Sequence, residues 1–201
     1  MSGRTVVHLV RHGEVYNPQK LLYGRMPGYH LSSRGRSMAA ATATFFEGRD
    51  VVYLAASPLE RAQETAAPIA AVTGCEVETV DGILEAENTF EGLRTKGWRT
   101  QLANPIRWRH MTNPLQPSWG EPYTEILERM LAAVEGAREQ AAGHEAVLVS
   151  HQLPIVMVQR YVQGKPLAHA SRQCDLASVT SLVFDGDVVI DWSYATPAAD
   201  I

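Results

Sequence analysis

The chain is poor in the residues that announce a special environment. Its 201 residues include only two cysteines, Cys75 and Cys174, far apart and outside any CxxC pair, so neither a disulfide framework nor a zinc spacing is present. A reducing, cytoplasmic setting is the expectation. No apolar run approaches the roughly 18 residues of a membrane span, and the one in MSGRTVVHLVRHGE is too short for a secretory signal, so no membrane partner is expected. Basic excess is missing too: 18 Lys and Arg against 22 Asp and Glu leave a net charge of -4, which gives no electrostatic footprint for nucleic acid. The composition, 45% hydrophobic and 20% charged, is that of a soluble globular protein with material for a substantial core.

Apolar patterning supplies the architecture. Val6 to Val10, Val51 to Ala56 and Glu145 to Ser150 are short β-branched or apolar runs that stop at polar residues, as buried strands do. Between them lie helical segments: Leu31 to Glu47, with Ser32 or Ser33 as cap and Gly48 as stop; residues 57 to 74, with Ser57 as cap, Pro58 in the first turn and Glu60 completing a capping box; Glu121 to Gln140; and about Leu153 to Val162. Ser178 to Phe184 and Val188 to Trp192 flank the turn sequence DGD and read as a terminal hairpin. This order predicts one α/β domain over 1–201, a three-layer sandwich with a mostly parallel sheet, an antiparallel edge strand and helices on both faces. Residues 88–120, rich in Trp and Pro, read as an insertion over the carboxyl edge of the sheet.

Open α/β sheets bind ligands outside the carboxyl ends of their strands. This chain places Arg11 and His12 after the first strand, Arg61 on the helix after the second, Glu85 after the segment Glu76 to Val80, and His151 after EAVLVS. Each has an ordinary alternative. His12 could be a satisfied strand-end histidine, Arg61 could pair with Glu60 or Glu64 on its own helix, Glu85 or its neighbour Glu87 could be a solvated loop acid, and His151 could cap its helix. Together they match the needs of phosphoryl transfer. Guanidinium forks hold nonbridging oxygens bidentately without a metal. A neutral imidazole can act as nucleophile, and a carboxyl group can protonate the leaving oxygen and then activate water. His8 and His12, four apart, would share a helix face, but on a strand that spacing does not converge, so no metal site is expected.

LVRHGEVYN, SPLERAQET, the acid in ILEAE and VLVSHQ occur in the order of the histidine phosphatase superfamily, and the chain resembles that family over nearly its whole length. The family includes cofactor-dependent phosphoglycerate mutases, fructose-2,6-bisphosphatases and small broad-specificity phosphatases. The resemblance implies that His12 becomes phosphorylated, Arg11 and Arg61 clamp the phosphate, His151 is the second histidine of the pocket, and Glu85 is the proton donor, with Glu87 as the alternative. It also places Asn17, Tyr23 and Gly24 where relatives contact phosphate or substrate. Departures are local. Val15 stands where relatives often have Thr or Ser, Asn17 comes one place early, His30 replaces an acid before the leucine, and SHG becomes SHQ, so that the Gln152 side chain either contacts substrate or points away.

The moderate interval between the acid and the second histidine favours a small phosphatase with an aromatic-lined mouth over the longer mutases. The expected reaction is hydrolysis of a small phosphorylated metabolite at acidic to neutral pH with no cofactor, by a monomer or homodimer. The alternatives are a phosphoglycerate-type mutase and a catalytically silent phospho-ligand binding module. Specificity is expected from residues 88–120, Tyr23, Arg25 and Gln152.

Overall fold

A computed structural model gives the fold and describes residues 3–94, 120–169 and 171–201. Most of the expected insertion, with Trp98, Trp108 and Trp119, lies outside the described residues.

Six strands form one sheet. They are β1 (Thr5–Arg11), β2 (Val51–Ala56), β3 (Val77–Thr79), β4 (Glu145–Ser150), β5 (Val179–Asp185) and β6 (Val188–Ala195), in the spatial order β3-β2-β4-β1-β5-β6. The first four strands of that order run parallel, and the β5–β6 hairpin closes one edge antiparallel. The helices are α1 (Ser33–Thr44), α2 (Glu60–Thr73), α3 (Tyr123–Gln140) and α4 (Gln152–Val162). Strand alternation sorts the core into two layers. Val7, Leu9 and Leu148 pack with Ile126 and Met130 of α3 and Ile155 and Met157 of α4, while Val10, Val147 and Val149 pack with Ala43 of α1 and Ala62, Ala66 and Ile69 of α2. The chain moves outward from β1 to β3 and then returns to β4. With crossovers of one hand, that reversal puts α3 on the face opposite α1 and α2. Among the described residues no helix is long and apolar enough to cross a membrane.

Local details refine two helix starts. Ser32 is the cap of α1, its Oγ accepting the Gly35 N–H at 2.9 Å. Ser57 does not cap α2: the helix begins at Glu60 after Leu59, and no side chain caps it. Pro58 therefore precedes the helix. The Ser57 hydroxyl is bonded to His151, and the Glu60 carboxylate accepts the Gly28 N–H at 2.8 Å instead of reaching back to the cap. His8 is a core histidine, its Nδ1 at 2.8 Å from Ser181 Oγ and its Nε2 at 2.9 Å from Glu145. Among the described residues no cluster of His, Cys, Asp and Glu could hold a metal ion.

Candidate active site

Register decides where the two histidines meet. β1 and β4 are parallel neighbours with Arg11 opposite Ser150, so the next residues, His12 and His151, leave the sheet side by side with ring centroids 5.2 Å apart. Both are buried. His12 Nδ1 lies 2.7 Å from the Gly13 carbonyl, which can only accept, so Nδ1 carries the hydrogen and Nε2 the lone pair. Burial, then the charges of Arg61 and Arg11, hold the His12 pKa well below that of an ordinary histidine. The ring is neutral at pH 7 and nucleophilic at Nε2. Burial, then His12 and Arg61, likewise hold His151 neutral. Its Nε2 is 2.8 Å from Ser57 Oγ, which also accepts the Leu59 N–H at 3.5 Å, while among the described residues its Nδ1 has no hydrogen-bond partner.

The arginines are held at one end and unpartnered at the other. Arg61 is 0% exposed. Its Nη2 donates to the Gly24 carbonyl at 2.6 Å and its guanidinium lies 4.8 Å from the Tyr23 ring centroid, yet among the described residues Nε and Nη1 have no acceptor. Arg11 Nη1 donates to the Cys174 carbonyl at 2.5 Å, and its Nε likewise has no acceptor among them. Neither Glu60 nor Glu64 takes Arg61: Glu60 holds the Gly28 N–H, and Glu64 accepts the Leu31 N–H at 2.7 Å and pairs with His30. Buried cationic N–H groups are normally satisfied, and a tetrahedral oxyanion offers acceptors on several sides at once.

The acid is on the same cavity. Glu85 lines a cavity of about 740 Å³ together with Arg11, His12, Tyr23 and Gln152. Burial raises its pKa, against the opposing Ala86 N–H bond and the cations Arg61, Arg11 and Arg172. Its carboxyl therefore keeps a proton to higher pH than a solvated glutamate. Glu87 is exposed and ion-paired to Arg25 at 2.8 Å, so of the two acids Glu85 has the environment of a proton donor.

A family model described as the histidine phosphatase superfamily (branch 1) matches residues 7–191. The chain belongs to this superfamily. An uncharacterized protein of Mycobacterium tuberculosis is 52% identical over 201 residues, covering 99% of this chain and 100% of the relative. The probable phosphoglycerate mutase GpmB of Escherichia coli is 30% identical, covering 85% of this chain and 80% of the relative. Among solved structures, Bacillus stearothermophilus YhfR superposes with a TM-score of 0.78 at 24% identity, over 92% of this chain and 94% of that one.

Within this histidine phosphatase fold, the residues expected at the site occupy distinct places. Asn17, Tyr23, Gly24 and Gln152 all line the cavity. The Asn17 amide, however, is engaged at both ends with Leu21, donating to its carbonyl at 2.8 Å and accepting its N–H at 3.1 Å. Gly24 works through Arg61, which its carbonyl holds. Its φ of 40° is one that L side chains rarely adopt, and a Cβ there would sit 1.9 Å from Glu91 Oε1, so a side chain would have to displace the Glu91 carboxylate. Gln152 Nε2 donates at 3.3 Å to the Cys174 carbonyl that also holds Arg11. Gly13 serves packing more than anion approach: a Cβ on it would lie 2.6 Å from the Gly35 carbonyl at the start of α1.

Sequence reasoning did not single out Ser57 as the partner of His151, Thr65 as the acceptor of the Gly13 N–H at 3.1 Å, or Lys20 and Arg172 on the cavity wall. Thr65 carried a signal, lying one turn after Arg61 and bonding back to its carbonyl at 2.7 Å.

Proposed function

We propose that the protein is a phosphoric monoester hydrolase that cleaves a small phosphorylated metabolite through a phosphohistidine on His12. What carries the reading is one juxtaposition. Among the described residues, N–H groups of Arg11 and Arg61 and the Nδ1 of His151 are buried without partners around a neutral imidazole whose Nε2 is free, and a carboxyl group with a raised pKa lines the cavity that His12 and Arg11 share.

In the first step His12 Nε2 attacks phosphorus, the bond to the ester oxygen breaks, and the Glu85 proton goes to that oxygen. The phosphoimidazolium keeps its Nδ1–H on the Gly13 carbonyl, which stabilises the positive ring. In the second step the Glu85 carboxylate takes a proton from water as the water oxygen attacks phosphorus and the P–N bond breaks. Phosphate leaves, and both residues return to their starting protonation. Arg11 and Arg61 neutralise the nonbridging oxygens throughout.

A mutase reading draws on the similarity to GpmB, a probable phosphoglycerate mutase. One assay separates the two: phosphate release across a metabolite panel, with and without a bisphosphate primer, and His12→Ala as control. Release that needs His12 and no primer supports the hydrolase. Primer-dependent isomerisation much faster than release would establish the mutase, and a His12→Ala protein with wild-type turnover would reject both.

A further inference from the structure

Glu85 sits just past the 3-10 turn Asp81–Ile83, and the backbone there is tied down by side chains. Four successive carbonyls are each held by a side chain from elsewhere. Arg129 Nη1, from α3, donates to Gly82 O at 2.8 Å and to Leu84 O at 2.7 Å. Ser150 Oγ, at the end of β4, donates to Ile83 O at 2.8 Å. Arg25 Nε, from the loop that also carries Tyr23 and Gly24, donates to Glu85 O at 2.6 Å.

The two arginines are themselves linked. Glu121 accepts Arg129 Nε at 2.7 Å and Nη2 at 3.0 Å, and Arg25 Nη2 at 2.9 Å. This carboxylate is only 12% exposed, against 27% for Arg25 and 20% for Arg129, so the bridge is better shielded than a surface ion pair. Arg25, expected above to select substrate, is engaged at Nε by the Glu85 carbonyl, at Nη1 by Glu87 and at Nη2 by Glu121.

Resting on the assignment of Glu85 as proton donor, we propose that Glu121, Arg25 and Arg129 are positioning residues that hold the Glu85 carboxyl in line with the leaving oxygen. None has to touch substrate. Proton delivery is sensitive to place, and a misplacement near 1 Å can cost about 10²-fold. The clamp therefore matters for poor leaving groups and little for good ones, a selectivity that general loss of structure does not produce.

The test compares Glu121→Gln and Arg129→Met on two substrates, an alkyl phosphate whose alkoxide needs a proton and 4-nitrophenyl phosphate whose phenolate leaves unaided. Expected is a loss in kcat/KM, which reports phosphorylation and not the later attack of water that Glu85 also serves, of about 10- to 100-fold on the alkyl ester, part of the about 10²- to 10⁴-fold an acid supplies, with less than about threefold on the nitrophenyl ester. Parallel losses on both esters, or none on either, overturn the proposal. Arg25→Lys, which keeps the charge but loses the fork, carries the same test if the other variants do not fold. Glu85→Gln is the separate control. If it spares the alkyl ester, the donor assignment itself has failed; if it costs that ester while the clamp variants do not, only the clamp has failed.

Discussion

Replacing Arg61 by methionine sets binding against stability in one residue. The wild-type guanidinium is fully buried, with one hydrogen bond to the Gly24 carbonyl, one ring contact to Tyr23, and two nitrogens without partners. Replacing a buried ion by an apolar side chain of similar volume is often neutral or stabilising, by about 1–4 kcal/mol. Against that stand about 1 kcal/mol for the lost bond to Gly24 and about 1 kcal/mol for the ring contact. The phosphate-free variant should thus lie between about 1 kcal/mol below and about 2 kcal/mol above wild type, a Tm change between a fall of up to about 4 °C and a rise of up to about 8 °C at about 2–4 °C per kcal/mol for a domain of this size. Inorganic phosphate should behave oppositely. At a hundred times its Kd it adds about 2.7 kcal/mol to the wild type, and it should add almost nothing to the variant. Thermal melts of both proteins with and without phosphate, at fixed pH, read all four values. A variant that melts well below wild type without phosphate, yet still gains stability from it, would refute the view that Arg61 is kept at a cost to stability for anion binding.

Other outcomes follow from the same geometry. With Glu85 raised and His12 lowered, log kcat for an alkyl phosphate should fall with unit slope as pH rises through the elevated Glu85 pKa, and Glu85→Gln should lack that limb; a limb that persists in Glu85→Gln contradicts the assignment. Because His12 and His151 titrate lower folded than unfolded, their stability contribution is present above about pH 6.5 and is lost as pH falls, approaching about 1.4 kcal/mol per pH unit for each, with raised Glu85 offsetting part of the loss. Urea titrations at pH 7 and 5.5 on Glu85→Gln isolate the histidines, and equal stabilities at the two values would contradict their burial as neutral rings. Gly35→Ala would put a Cβ 1.9 Å from the Glu14 carbonyl, so it should destabilise by about 1–3 kcal/mol or more, and Gly13→Ala, with 2.6 Å to Gly35 O, by somewhat less. Denaturant midpoints check the order.

The strands were legible because burial on both faces demands β-branched apolar runs, and each run stops where polar residues reach the sheet edge. Arg11, His12, Arg61, Glu85 and His151 could be read from that edge for the same reason. Ser57 could not. S-x-x-E is a local pattern that suits a helix cap, and nothing nearby in sequence announces that a histidine 94 residues away will take the hydroxyl. The packing constraint on Gly13 was hidden in a related way, since the carbonyl that excludes a side chain comes from Gly35 on another element. The Glu121 bridge joins three separated stretches and leaves no periodicity to find. Asn17 and Gln152 both reach the cavity, and their amides also hydrogen-bond the chain's own backbone, contacts that no local pattern announces.

The central claim is that His12 carries the phosphoryl group. Acid quenching destroys phosphohistidine, so the measurement is a rapid alkaline quench during turnover of a good phosphomonoester, followed by mass spectrometry of the peptide that contains Arg11 to Asn17. The account predicts a phosphoryl group on His12 that forms within one turnover, vanishes when substrate is exhausted, and is absent in His12→Ala. Steady hydrolysis by the wild type with no phosphorylated His12, or with the label on His151, would contradict it.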